Sequence, residues 1–373
     1  MNARIPWWSP QIGPYEYDAV KRVLESGYIN DGAVTEEFEQ RIAALAGSRY
    51  AVAVTSGTAA IAVALMGLGV GAGDEVIVPD VTFIATANAV RLAGADPVLA
   101  DVDPRTLTLC PEAAARAITP RTRAIVPVHV SGRGAAMQHI LALAHDRGLL
   151  VVEDAAEAFL SRVEGRYLGT FGNAGCFSLS PNKTITTGQG GIIVTDDEKL
   201  HTRLRELKDQ GRPVRGTGGD DVHASLGFNF KFTNLQAAVG LAQLNYLHER
   251  LERMQRIYLQ YKTELSDLPA FRLPGFRTSE GEQPQWTDAI IEDRDDLETY
   301  LRTRDMHCRK FWFPLHTQAP YRRPDVEFPN STGLCTRALW LPSAFSLTDD
   351  DVARVCTEIR SYYGKYISIA GAP

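Results

Sequence analysis

Lys183 is the only charged side chain between Arg166 and Asp196, and the segment around it is rich in Gly, Ser and Thr. The chain holds eight lysines against 31 arginines, so one lysine alone in a neutral segment carries weight. Surface lysines ordinarily sit among other charges. An amine taken out of water loses proton affinity and becomes a nucleophile. The chemistry that follows is a Schiff base with a carbonyl.

Other residues upstream have types suited to a partner for that lysine. Thr55-Ser56-Gly57-Thr58 follows an apolar run and opens another. Free N–H groups and the positive end of a helix there would hold a phosphate. Taken alone, the same four residues read more readily as a plain helix cap. Phe83 follows a second apolar run, where a flat ring can stack on a planar cofactor or simply fill the core. Asp154 ends the run Val151-Val152-Glu153. A carboxylate at that point either pairs with a protonated ring nitrogen or caps the next segment. Ser178 lies five residues before Lys183, as a phosphate contact or a solvent-facing strand serine.

These residues need a frame. The pattern predicts strands at 50–54, 75–78, 97–100, 124–128, 149–153, 175–178 and 191–195. It predicts helices at 14–24, 35–45, 58–68, 84–92, 135–147 and 197–210. Such alternation implies an α/β fold with a mostly parallel sheet and ligands at the carboxyl ends of its strands. Residues 234–262 read as a long helical region. Beyond Leu268 proline and turn residues increase, with helices expected near 295–303 and 349–363. We expect a large domain over residues 1–255, with an N-terminal arm, and a smaller C-terminal α+β domain over 256–373.

Composition excludes several classes. The 373 residues are 45% hydrophobic and 23% charged, with a net charge of −6, which leaves no nucleic-acid footprint. Five widely spaced cysteines without a C-x-x-C argue against a disulfide framework and a zinc site, and no metal is expected. The start lacks a signal-peptide core, so a cytoplasmic enzyme is expected. Residues 51–73 carry no charge, but the polar turn at 55–58 and the glycine-rich end favour a buried strand and helix over a membrane span. Gly67-Leu68-Gly69-Val70-Gly71-Ala72 precedes a strand, the reverse of a dinucleotide-binding order. No Walker loop or G-x-S-x-G elbow is present.

Taken in order, the phosphate-type turn, strand-end aromatic, strand-end aspartate, serine and lone lysine fall on one edge of the expected sheet. Pyridoxal 5'-phosphate needs such a set. The chain resembles the DegT/DnrJ/EryC1/StrS family of sugar aminotransferases, of the aspartate aminotransferase (type I) fold. The likeness rests on Ser56-Gly57-Thr58, Thr82-Phe83-Ile84-Ala85-Thr86-Ala87-Asn88, Glu153-Asp154-Ala155-Ala156, Phe177-Ser178 to Lys183, Gly227-Phe228-Asn229-Phe230 and Pro314-Leu315-His316.

That resemblance implies a seven-stranded large domain and assigns roles. Lys183 would be the Schiff-base lysine, Asp154 the partner of the pyridine nitrogen and Phe83 the ring cover. Gly57, Thr58 and Ser178 would hold the phosphate, with Asn229 supplied by the neighbouring subunit of a homodimer. Glu157 stands where many relatives carry glutamine near the phenolic oxygen. Tyr28, Arg133 and His316 are candidate substrate contacts; Arg133 is equally a surface arginine. Glu157, the residues around Lys183 and the 309–316 segment are most similar to GDP-perosamine synthases. The implied reaction moves the amino group of L-glutamate, through pyridoxamine 5'-phosphate, onto a nucleotide-linked hexose, at C4 of a 4-keto-6-deoxy sugar. A cyclitol ketone, a deoxysugar dehydratase and a regulatory binding protein on the same fold are the alternatives. Related dehydratases place histidine where Lys183 stands.

Overall fold

The computed structural model describes residues 4–213 and 222–370. Among them a seven-stranded sheet forms from β1 (Tyr50–Val54), β2 (Glu75–Pro79), β3 (Asp96–Ala100), β4 (Thr122–Ile125), β5 (Leu150–Asp154), β6 (Ala174–Ser178) and β7 (Gly191–Thr195). The order across the sheet is β1-β7-β6-β5-β4-β2-β3. Neighbours from β3 across to β6 pair in parallel, and β7 runs against both β6 and β1.

The strands read as unbroken apolar runs because both faces are covered. Alternate residues divide between two cores. Val52, Val54, Val76, Val78, Val152 and Ile193 pack with Ile61, Leu65, Val90, Leu200 and Leu204 of the helices Gly57–Gly67, Ala85–Leu92 and Glu198–Lys208. Ala51, Ala53, Ile192 and Val194 point the other way, onto Phe38 and Ile42 of the helix Ala33–Ala46. Ile77, Ile125 and Val151 meet Ile140 and Ala144 of the helix Met137–Arg147. The uncharged 51–73 stretch is thus a strand, a turn and a central helix. No helix of the described residues is long and apolar enough to cross a membrane.

A second, antiparallel sheet consists of β8 (Phe271–Arg272), β9 (Asp288–Ile291), β10 (Arg309–Lys310) and β11 (Ala338–Trp340), in the order β8-β9-β11-β10. The helices Arg294–Arg302 and Asp349–Ala370 pack on it. The expected helical region 234–262 is two helices, Asn234–Gln243 and Leu247–Leu265, joined by a 3-10 turn. The second helix bridges the cores: Leu247 belongs to the large-sheet core and Ile257, Tyr261 and Leu265 to the small one. We propose that the division expected near residue 255 falls within it. Ile5 also joins the small core, where its N–H donates to the Asp305 carbonyl at 2.8 Å.

Space at one glycine ties β7 to the turn that opens the central helix. A Cβ on Gly191 would overlap the Ser56 carbonyl and lie 2.8 Å from the Gly57 nitrogen. Gly191→Ala is therefore expected to cost about 1–3 kcal/mol of stability, the usual price of overpacking. Urea denaturation measures it, and a midpoint equal to wild type would contradict this packing account.

Candidate active site

Asp154 is the last residue of β5, and strand alternation turns it to the side opposite Glu153. Glu153 is buried by other work: it accepts from the N–H groups of Gly169 at 2.8 Å and Gly172 at 2.7 Å. Its Oε2 also lies 2.9 Å from His129 Nε2. The Ala135 N–H donates to His129 Nδ1, so Nε2 carries the proton toward Glu153. Asp154 Oδ2 accepts from the Thr86 hydroxyl at 2.7 Å, and Oδ1 accepts from the Ala156 N–H at 3.1 Å. The second bond is turn chemistry; no helix begins there, so the cap reading of Asp154 falls away. Burial pushes the Asp154 carboxyl above its ordinary range, against the two hydrogen bonds and the nearby Lys183.

Lys183 lies on the loop between β6 and β7, its side chain 12% exposed. Its Nζ donates to Glu157 Oε1 at 3.3 Å and stands 4.8 Å from the ring centroid of Trp286. Glu157 Oε2 accepts from the Ser131 N–H at 2.9 Å. Burial raises the Glu157 carboxyl, opposed by Lys183 and the Ser131 hydrogen bond.

Ser56 caps the Gly57–Gly67 helix, its Oγ accepting from the Ala59 N–H at 3.1 Å. Cap and cradle are the same turn. Opposite it, Ser178 ends β6, with its Oγ 3.0 Å from Ser180 Oγ. A Cβ on Gly57 would sit 3.0 Å from Ser178 Cβ and 3.3 Å from its hydroxyl, so glycine holds open the gap between helix end and serine.

These residues border one cavity of about 410 Å³, which brings together Gly57, Thr58, Phe83, Asp154, Glu157, Ser178 and Lys183. Phe83 is 53% exposed there, a flat apolar face left uncovered. The cavity's other wall comes from the four-stranded sheet and the segments flanking its strands: Trp286, Arg309, Trp312 and Trp340. Sequence reasoning missed that wall. Its tryptophans are scattered along the chain, and only their scarcity marked them. Thr86 was also missed as a partner of Asp154, although it follows Thr82 by one helical turn and the two hydroxyls lie 2.8 Å apart.

Four candidates lie elsewhere. Arg133 is neither a surface arginine nor at this cavity. It is 1% exposed, ion-paired with Asp288, with its guanidinium carbon 4.7 Å from the Phe276 ring centroid. His316 is fully buried; its Nδ1 lies 2.6 Å from Asp80 Oδ2 and its ring stacks on Phe328. Both are engaged with buried carboxylates, and neither lines the cavity. Tyr28 and Asn229 line a separate recess of about 330 Å³, with Asp31, Asp209, Arg212 and Lys231.

The cavity residues fit pyridoxal phosphate. The helix end and Ser178 frame a gap lined by backbone N–H groups, suited to a phosphate. Among the described residues only neutral donors hydrogen-bond Asp154, which leaves its buried charge for a cationic ring nitrogen.

The comparisons agree with that fit. The model of the DegT/DnrJ/EryC1/StrS aminotransferase family matches residues 10–360. GDP-perosamine synthase of Escherichia coli O157:H7 is 35% identical over 364 residues, 96% of this chain and 98% of that protein. The structure of DesV from S. venezuelae superposes with a TM-score of 0.90 at 33% identity, covering 97% of this chain and 99% of that one. DesI, solved with its TDP-sugar product, superposes with a TM-score of 0.88 at 33% identity, covering 96% and 93%. With this match along its length and this cavity, the chain belongs to the DegT/DnrJ/EryC1/StrS aminotransferase family and takes pyridoxal phosphate as its cofactor.

Proposed function

We propose that the protein transfers the amino group of L-glutamate to a keto group of a nucleotide-linked hexose, at C4 of a 4-keto-6-deoxy sugar, as a GDP-perosamine synthase does. The observation that carries this reading is the 35% identity to such a synthase over 96% of the chain. The TDP-sugar bound to DesI supports the nucleotide-sugar class.

The cofactor, when bound, supplies an electron sink for the pair left as a proton leaves the amino-bearing carbon. The chain does the rest. The N–H groups at Gly57 and Thr58, with the Ser178 hydroxyl, hold the phosphate. Asp154 keeps the ring nitrogen protonated. Phe83 covers a ring face. The Lys183 amine takes the proton from the donor's carbon and returns one to the acceptor's, as general base and then acid. Glu157 orients that amine through its 3.3 Å contact. Arg309, on the cavity wall, is the cation suited to a carboxylate or phosphate of the incoming substrates. Tryptophan faces on the same wall suit the apolar side of a sugar.

The reading includes a homodimer whose sites are shared. Asn229 lies outside the cavity of its own chain, in the recess that holds Tyr28. The N-terminal part of the chain also leaves apolar surface exposed: Ile12, Tyr15, Tyr17, Leu24, Tyr28 and Ile29 are each more than two-fifths uncovered, and Ile12, Tyr17 and Leu24 line one shallow recess. Such a patch is unusual on a monomer and suits a second copy.

Three outcomes are expected. Lys183→Ala abolishes multiple turnover in a panel of nucleotide keto-sugars with L-glutamate, read by product mass, while circular dichroism stays native; wild-type turnover would sink the assignment. Asp154→Asn lowers kcat/KM on the order of a hundredfold, as loss of a strong electrostatic partner does. It also leaves the apoprotein at least as stable near pH 7. The sign follows from burial: the raised carboxyl favours the folded state below its ordinary pKa of 3.8, and that contribution is lost as pH rises through the raised value. Removing the charge therefore helps most near neutrality and makes little difference near pH 4. A lower melting temperature for the apo variant at pH 7 would contradict this. Finally, mixing Lys183→Ala with Asn229→Ala subunits should restore activity to about a quarter of wild type, since half of the dimers then carry one intact site. No gain over the separate variants would exclude a shared site.

A further inference from the structure

The segment Gln285-Trp286-Thr287-Asp288 touches the loop of Lys183 through Gln285 and Trp286 and reaches its carboxylate partner through Asp288. Gln285 does so first. Its Oε1 accepts from the Thr184 hydroxyl at 2.7 Å, and its Nε2 donates to the Asn182 carbonyl at 3.3 Å. One amide thus grips the residues on both sides of Lys183. Gln285 is 2% exposed, and its own N–H donates to the Ser131 carbonyl at 2.8 Å.

Asp288 holds the other end of the lysine's contact. Its Oδ1 accepts from the Ser131 hydroxyl at 2.8 Å, and its carboxylate pairs with Arg133. Ser131 in turn donates its N–H to Glu157, which accepts from Lys183 Nζ. Ser131 carries a φ of 52°, a left-handed conformation that serine adopts at a cost and keeps only when its surroundings hold it. Here they do: its N–H, carbonyl and hydroxyl are all engaged. Its neighbour Gly132, at φ 99°, admits the Gln283 carbonyl where a Cβ would overlap it. Trp286 lies between the two grips, with its ring beneath Lys183 Nζ.

We propose that Gln285 and Asp288 are positioning residues for the reaction. Gln285 fixes the backbone from which Lys183 projects. Asp288, through Ser131, fixes the carboxylate that orients its amine. The small domain thereby sets where the amine points, and Arg133 serves by neutralising Asp288. The proposal rests on Lys183 being the reacting lysine.

The test uses Gln285→Met, which keeps the length of the side chain and removes both hydrogen bonds, and Gln285→Glu, which keeps the acceptor for Thr184 alone. Tyr261→Phe serves as a control. It removes a buried hydrogen bond to the Pro342 carbonyl in the small-domain core, away from the cavity. Two quantities are read: the rate at which added pyridoxal phosphate gives the absorbance of the lysine-bound cofactor in apoprotein, and kcat against KM. Gln285→Met should slow both the capture rate and kcat by about ten- to a hundredfold, the scale of a small misplacement of a reacting group. KM should stay within about twofold, since Gln285 is not placed against substrate. Gln285→Glu should fall between Met and wild type, and Tyr261→Phe should leave both rates near wild type. Wild-type capture and kcat in Gln285→Met would overturn the proposal, as would equal losses in Gln285→Met and Tyr261→Phe. Lys183→Ala separates the two readings. If it turns over, the lysine assignment fails and the clamp with it. If it is dead while Gln285→Met behaves as wild type, the clamp alone fails.

Discussion

Three ionisable side chains, Lys183, Asp154 and Glu157, are taken out of water within one cavity, and much of the structure serves to make that tolerable. A buried charge is costly unless paired or hydrogen-bonded. Asp154 has the Thr86 hydroxyl and the Ala156 N–H. Glu157 has the Ser131 N–H and the lysine itself. The partners come from different elements: the helix after β2, the turn after β5, the turn after β4 and the loop before β7. The seven-stranded sheet is the scaffold that brings those ends to one edge. Bringing them together also obliges Ser131 to sit at positive φ.

The same constraint explains why elements of both the seven-stranded and the four-stranded sheet border the cavity. A sheet edge alone would leave Lys183 and Glu157 facing solvent. The segments in and around the four-stranded sheet close that side with tryptophan rings and supply Gln285 and Asp288 to the polar network beneath. The helix Leu247–Leu265 is rooted in both cores, with Leu247 in one and Ile257, Tyr261 and Leu265 in the other. Arg133 and His316 each meet a carboxylate far along the chain: Arg133 ion-pairs with Asp288, and His316 hydrogen-bonds Asp80.

Much of the frame was legible in the sequence, for physical reasons. Strands covered on both faces are continuous apolar runs, so β1 and β7 are read at their observed ends. Pro97 did not mislead, because β3 lies at the sheet edge, where a missing N–H is tolerated. The 124–128 strand was read too far, since Val126 and Val128 are buried in the segment leading to the cavity, not in the strand itself. The two-residue strands at 271 and 309 are too short for any period to register. At the site, Asp154, Ser178, Phe83 and the Ser56-Gly57-Thr58 turn, each read from a strand end, line one cavity. Arg133 and His316 were misplaced because spacing along one segment does not reveal a partner more than a hundred residues away. Gln285 gave no signal, since its value lies in reaching two backbone neighbours at once.

The aromatic wall has a consequence for observing the molecule. The chain has five tryptophans, and Trp7, Trp8, Trp286, Trp312 and Trp340 form one connected cluster with neighbouring ring centroids 4.8–6.5 Å apart. No tryptophan stands anywhere else in the sequence. Tryptophan emission, excited to the red of the tyrosine band, therefore originates entirely from this one cluster beside Lys183. A cofactor that absorbs in the near ultraviolet would sit within energy-transfer reach of every one of these emitters. Loading of the site, and any loosening of the wall around it, is thus written into the protein's own tryptophan fluorescence, without a label.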